Sequence, residues 1–360
     1  MKKYLLIAVG LLLFACDNGE EIIPIATPTP NTPPPNNNNA WLIPTNLIID
    51  AAGRDAIPSL SNPELIDIDE AGYLFDPELV LGYFDGQTAI ALPHHIMDWH
   101  EIVNMRVNSK SVVISYCPLT GTGIGWSQGF DDFESEFAVS GLLYNNNLIA
   151  FDRNTGSNWS QQSLLAVNGP KIGTEIQTFN LVETRWSTWK AMYPNTKVVS
   201  RNTGWDRPYG NYPYGDFRSD HDDLFYPLTT DDRRLLRKER LHGILVDGDV
   251  KTYRFSSFGD SNVLIEDSFK GTEVMIVGNE QANFMVSFEA QLSNGTRPNF
   301  QVINEGAAVI ADDQGNKWDV FGKLVASGNS LTPDLTPTRS FMGYWFSWGA
   351  FYPTPEIFDF

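Results

Sequence analysis

The chain is short of the residues that most often carry chemistry. Its 360 residues include only two cysteines and five histidines. Two cysteines allow one disulfide at most, which excludes a small disulfide-stapled scaffold. Cys117 stands in "SYCPLTGTG", and the position three residues on is Thr120. A CxxC redox pair or a zinc ribbon is therefore not available there. Basic residues are also scarce, 25 Lys and Arg against 44 Asp and Glu, for a formal net charge of −19. That excess repels nucleic acid and anionic lipid and argues against a nucleic-acid partner. The glycine-rich run at 120–125 lacks the lysine and the helix opening of a phosphate loop. Long apolar runs are missing too. The longest, Tyr4–Ala15, is too short to span a bilayer.

What is present at the start has a clear pattern. "MKKYLLIAVGLLLFA" has a basic opening, a short apolar stretch and a small residue before Cys16. This is the order of a secretory signal peptide. "LFAC" resembles the lipobox of bacterial lipoproteins, which implies cleavage before Cys16 and lipidation of Cys16. We therefore expect a signal peptide over 1–15 and anchoring in the cell envelope through the lipid. The outer membrane is the expected address, with the periplasmic or the surface face left open. Residues 16–46 begin acidic and become rich in Pro, Thr and Asn. Such a composition buries too little apolar area to fold, and its prolines keep it extended. It is expected to be a tether.

The remainder is rich in aromatics, with ten tryptophans in the chain, and its strand-like runs are short and separated by glycine and proline. This predicts a mainly β fold, α+β with few short helices. An internal similarity stands out. "RWSTWKAMYP" (185–194) matches "YWFSWGAFYP" (344–353), "IAFDRNTGSNWS" (149–160) resembles "VIADDQGNKWD" (309–319), and the Asp85-Gly86 turn pairs with Asp247-Gly248. Three segments in one order, at offsets near 160, predict two tandem duplicated half-units in one globular domain. We place the halves at 47–210 and 211–360, the second degenerate. The Asp-Gly pairs predict hairpins. Trp186, Trp189 and Tyr193 share one face of a short helix that packs into the core.

The motifs "WHEIVN" (99–104), "YCPLTGTG" (116–123), "SGLLYNNNLIAFDRNTGSNWSQ" (140–161) and "WFSWGAFYP" (345–353) resemble the bacterial domain-of-unknown-function family DUF3179 over nearly everything after the tether. The resemblance supplies positions and no reaction. It implies a His-Glu pair, matched by His100 and Glu101. It also implies, in several relatives, a CPLC pattern that this chain departs from at Thr120. His94 and His95 fall where that pattern has other residue types.

The candidate site follows. Cys117, His100 and Glu101 are the candidate catalytic residues. Imidazole and thiolate suit a copper, zinc or iron ion, so Cys117 and His100 are also candidate metal ligands. Imidazole beside thiol could equally make a nucleophile. Tyr116, Asn104, Ser140, Tyr144, Asn145 and Asp152 are candidate pocket residues. In an extended segment His100 and Glu101 would point to opposite faces unless the backbone bends. A weak alignment at offset 162 sets His100 on Asn262 and Cys117 on Asn279, and no Cys or His follows His242. The first half thus carries the reactive residues. The functions left open are a metal-binding or thiol-dependent enzyme or redox protein, and a non-catalytic extracellular ligand-binding or envelope-assembly module. The partner is an unidentified small molecule or envelope protein. Carboxylates at 216–223 lack a calcium-loop pattern and predict a solvated loop.

Overall fold

The computed structural model describes residues 40–127, 135–328 and 332–360. Cys16, the signal peptide and residues 16–39 of the tether lie outside the described residues. Residues 40–44 of the tether are packed, and Thr45 and Asn46 are exposed. Ile43 is buried and Leu42 N donates to Val167 O at 2.9 Å, because Trp41, Leu42 and Ile43 supply apolar area that the Pro/Asn stretch lacks.

The fold is mainly β with short helices. After the short strands Ile48–Asp50, Leu60–Ser61 and Leu65–Asp67, the first half forms a hairpin of β1 (Leu79–Phe84) and β2 (Ala89–Pro93), closed at Asp85-Gly86, with Gly86 at φ 96°. Helix α1 (His94–His100) follows, then the antiparallel sheet β3 (Ile102–Val107), β4 (Lys110–Cys117) and β5 (Thr122–Ser127). A second antiparallel sheet has β6 (Phe137–Tyr144), β7 (Asn147–Asp152), β8 (Asn158–Ser160) and β9 (Leu165–Asn168) in order. Strand β10 (Val182–Arg185), helix α2 (Trp186–Met192) and β11 (Lys197–Val199) finish it. β10 pairs antiparallel with β1, and β11 runs parallel to β2.

The second half repeats the order of the elements from β1 to β11. The hairpin β12 (Arg240–Val246) and β13 (Asp249–Arg254) turns at Asp247-Gly248. A single 3-10 turn (Phe255–Ser257) stands where α1 stood. The three-stranded sheet is β14 (Val263–Phe269), β15 (Thr272–Asn279) and β16 (Phe284–Glu289). The four-stranded sheet is β17 (Phe300–Glu305), β18 (Ala308–Asp312), β19 (Lys317–Asp319) and β20 (Leu324–Ala326). Then come β21 (Ser340–Tyr344), helix α3 (Trp345–Phe351) and β22 (Glu356–Ile357). β21 is antiparallel to β12 and β22 is parallel to β13.

The tryptophan segments explain two glycines. A Cβ placed on Gly82 of β1 would lie 2.1 Å from the Trp189 ring, and one on Gly243 of β12 would lie 2.4 Å from the Trp348 ring. Each hairpin therefore needs a bare backbone where the indole of its own half lies across it.

Each half has an apolar cluster of its own, between its hairpin and its three-stranded sheet, but the two clusters that carry the tryptophans are shared. One apolar cluster joins Val113, Trp126, Phe137 and Trp159 of the first half to Trp345 and Trp348 of the second. The other joins Trp186 and Trp189 of the first half to Val277, Phe288, Trp318 and Phe321 of the second. Each hairpin thus packs one face on the sheet of its own half, and on its other face the Trp-led helix meets the opposite half. The seam is reciprocal. Thr184 Oγ1 at β10 donates to Ala282 O before β16 at 2.8 Å, and Tyr344 N at the end of β21 donates to Thr120 O before β5 at 2.9 Å. Such mutual contacts are those of an isologous interface, here within one chain. Among the described residues no helix is long and apolar enough to cross a membrane.

Candidate functional site

Helix α1 sets the geometry. It ends at His100, and Glu101 follows with φ 57° and ψ −33°. Positive φ in a non-glycine residue is held only where surroundings enforce it, and such residues cluster at functional sites. Here Glu101 N donates to Met97 O at 2.8 Å and Tyr116 N to Glu101 O at 2.7 Å. The bend turns His100 and Glu101 to different surroundings. His100 Nδ1 contacts Pro58 O at 2.7 Å, and its Nε2 meets the Tyr209 hydroxyl. Glu101 points inward, is 4% exposed, and accepts from the Tyr214 hydroxyl at 3.3 Å. Burial pushes its carboxyl up to about 8, opposed by the Tyr214 hydrogen bond.

Cys117, the last residue of β4, is 1% exposed. Its thiol is directed at Asn146 O at 3.6 Å. Burial first, and the Glu101 charge second, push it up to about 11. No hydrogen bond or ion pair joins His100 to Cys117 among the described residues. Nor do three or more His, Cys, Asp or Glu side chains group there as metal ligands. In the second half, Asn262 and Asn279, the positions aligned with His100 and Cys117, are hydrogen-bonded at 3.0 Å.

The centre that does form includes residues that sequence reasoning missed. Asp98, one turn before Glu101 on α1, is 4% exposed and accepts from Arg218. Burial raises its carboxyl above the usual range, and the guanidinium opposes that rise. Arg218 also donates to the Tyr116 hydroxyl at 3.2 Å and lies 3.8 Å over the Tyr212 ring. Tyr212 in turn donates to Pro118 O at 3.1 Å. The segment joining the halves therefore roofs α1 and the end of β4. The expected solvated loop at 216–223 is solvated only in part, because Phe217 is buried and Arg218 enters this centre. The one available signal was a lone basic residue in an acidic run, 120 positions from Asp98 and 102 from Tyr116.

His94, also on α1, sets its ring centroid 4.6 Å from that of Tyr116, tilted by 49°, and its Nε2 3.5 Å from Glu183 of β10. Burial holds His94 neutral, so this contact is not an ion pair. Glu183 instead pairs with Arg240 of β12 across the seam.

The remaining candidates serve the sheets. Asn104 exchanges two 2.8 Å hydrogen bonds with the Phe137 backbone. Ser140 Oγ donates to Ile149 O at a bulge between β6 and β7. Asn145 and Asn146, at φ 51° and 62°, form the two-residue turn after Tyr144. That conformation is what a tight hairpin asks of asparagine. Asp152 accepts from Thr155 N at 2.6 Å and Trp159 Nε1 at 3.0 Å and so fixes the next hairpin. Tyr116 alone of the pocket set joins Cys117 and Glu101.

A family model described as "Protein of unknown function (DUF3179)" matches residues 54–355. No curated protein and no solved structure matches the chain.

Proposed function

The chain belongs to the DUF3179 family, and on that premise we propose that it is a lipid-anchored ligand-binding module of the cell envelope rather than a thiol or metal enzyme. The carrying observation is the burial of Cys117, whose thiol is raised to about 11. The nucleophile is the thiolate, which such surroundings disfavour, and among the described residues no group of three or more His, Cys, Asp or Glu side chains stands ready to share a metal with Cys117. The test is alkylation of the folded protein by iodoacetamide at pH 7.5. Cys117 should react at least a hundredfold slower than in urea. Labelling at the unfolded rate would reinstate the thiol reading.

The anchor has its own test. Wild-type protein made in a bacterial host should incorporate labelled palmitate, and Cys16→Ser should abolish incorporation. Labelling that survives the substitution would place the lipid elsewhere. The matched element order also supports reading the halves as a fused duplicate.

One observation favours a second reading. Glu101 is protonated near neutrality, as a general acid requires. If this centre turns over a substrate, Glu101→Gln should lower kcat at least a hundredfold with the fold intact. A Glu101→Gln protein of wild-type kcat would remove the acid role.

A further inference from the structure

A second site lies on the same seam in the other half. Arg185, Glu239, Arg240, Phe255, Glu280 and Asn283 line a cleft of about 330 Å³. This is the lower end of the range of small-molecule sites. It is the counterpart of the roofed centre. Arg185 precedes the Trp-led helix of its half as Tyr344 does in the other. Asn283, at φ 58°, stands before β16 as Gly121, at φ 63°, stands before β5. In the first half this space is taken by the Tyr344 ring, 3.1 Å from where a Cβ on Gly121 would be. With Arg185 and Asn283 at the matching places, the cleft stays open.

Its chemistry is that of an oxyanion site. Arg240 is fixed by Glu183 and by Asn283 Oδ1 at 2.7 Å, with its guanidinium 4.4 Å over the Phe255 ring. Arg185 has no ion-pair partner among the described residues. Asn283 is 6% exposed, and its Nδ2 donor has no acceptor there. In a chain of net charge −19 a free arginine in a cleft is a local exception. Glu239 is held by Arg254 at 2.5 Å, which leaves Glu280 as the unpaired carboxylate. Arg185 and Glu280 are then the two unpaired charges of the cleft, so an anion on Arg185 is repelled by Glu280, a phosphate dianion about twice as strongly as a monocarboxylate.

We propose that this cleft binds a small monocarboxylate, with Arg185 as the principal contact and Phe255 as the apolar wall. The site stands apart from the Cys117 centre and does not depend on its role. The test is ligand-observed NMR titration of the full chain with sodium benzoate, with inorganic phosphate as the contrasting anion. Benzoate should bind saturably in the millimolar range or tighter. Arg185→Ala, checked by circular dichroism, should weaken it at least tenfold, and Glu280→Ala should tighten it. Arg153→Ala, on a surface pair with Asp55, should leave it unchanged. No saturable binding, an Arg185→Ala protein that binds as wild type, or phosphate bound as tightly as benzoate would each overturn the proposal.

Discussion

Glu101 links protonation to stability. Its folded carboxyl titrates near 8, against an ordinary value of 4.5. Between those values the folded chain holds a proton that the unfolded chain has released. The contribution is therefore complete below pH 4.5 and is lost as pH rises through 8, with a slope of about 1.4 kcal/mol per unit. Urea unfolding from pH 5 to 9 should show stability falling with pH for the wild type, and Glu101→Gln should flatten that fall. A parallel slope in both proteins would remove Glu101 as the cause. The neighbourhood of Cys117, Tyr116 and Glu101 was legible in the sequence, because β4 and the turn before it place them by short spacing. His100 was not. One left-handed residue, Glu101, rotated it away to Pro58 and Tyr209.

Hairpins and helices were readable for local reasons. Asp-Gly pairs mark turns, and Trp186, Trp189 and Tyr193 share a helical face that ends before Pro194. The partner of each helix was not readable, because an apolar stripe states that it is buried and not against what. The close approach of indole to glycine gives the test at this scale. Gly82→Ala and Gly243→Ala should each cost roughly 1–3 kcal/mol, since the Cβ displaces a fully buried tryptophan. Thermal melts should show similar losses for the two. A neutral result at either would mean that its indole can give way.

For the whole molecule, the crossed cores predict one unfolding event. Neither half encloses an apolar cluster of its own of the two that carry the tryptophans. Tryptophan fluorescence and far-ultraviolet dichroism should follow coincident urea transitions. Two separated transitions would mean that the halves are independent bodies. The sequence showed the repeat and not the crossing, since the seam contacts join residues 98 (Thr184 and Ala282) and 224 (Thr120 and Tyr344) positions apart.

The same crossing governs the order of events at birth. A ribosome delivers residue 200 well before residue 240, and until then helix α2 has no sheet of the second half to rest on. Trp186 and Trp189 have one side covered by their own hairpin and the other waiting for Trp318 and Phe321, and Trp126 and Trp159 wait for Trp345. Contacts this distant in sequence close slowly and leave apolar surface uncovered meanwhile. Delivery of α3 (Trp345–Phe351) is therefore the step that closes the molecule, and a chain cut before Trp345 is left with an open core.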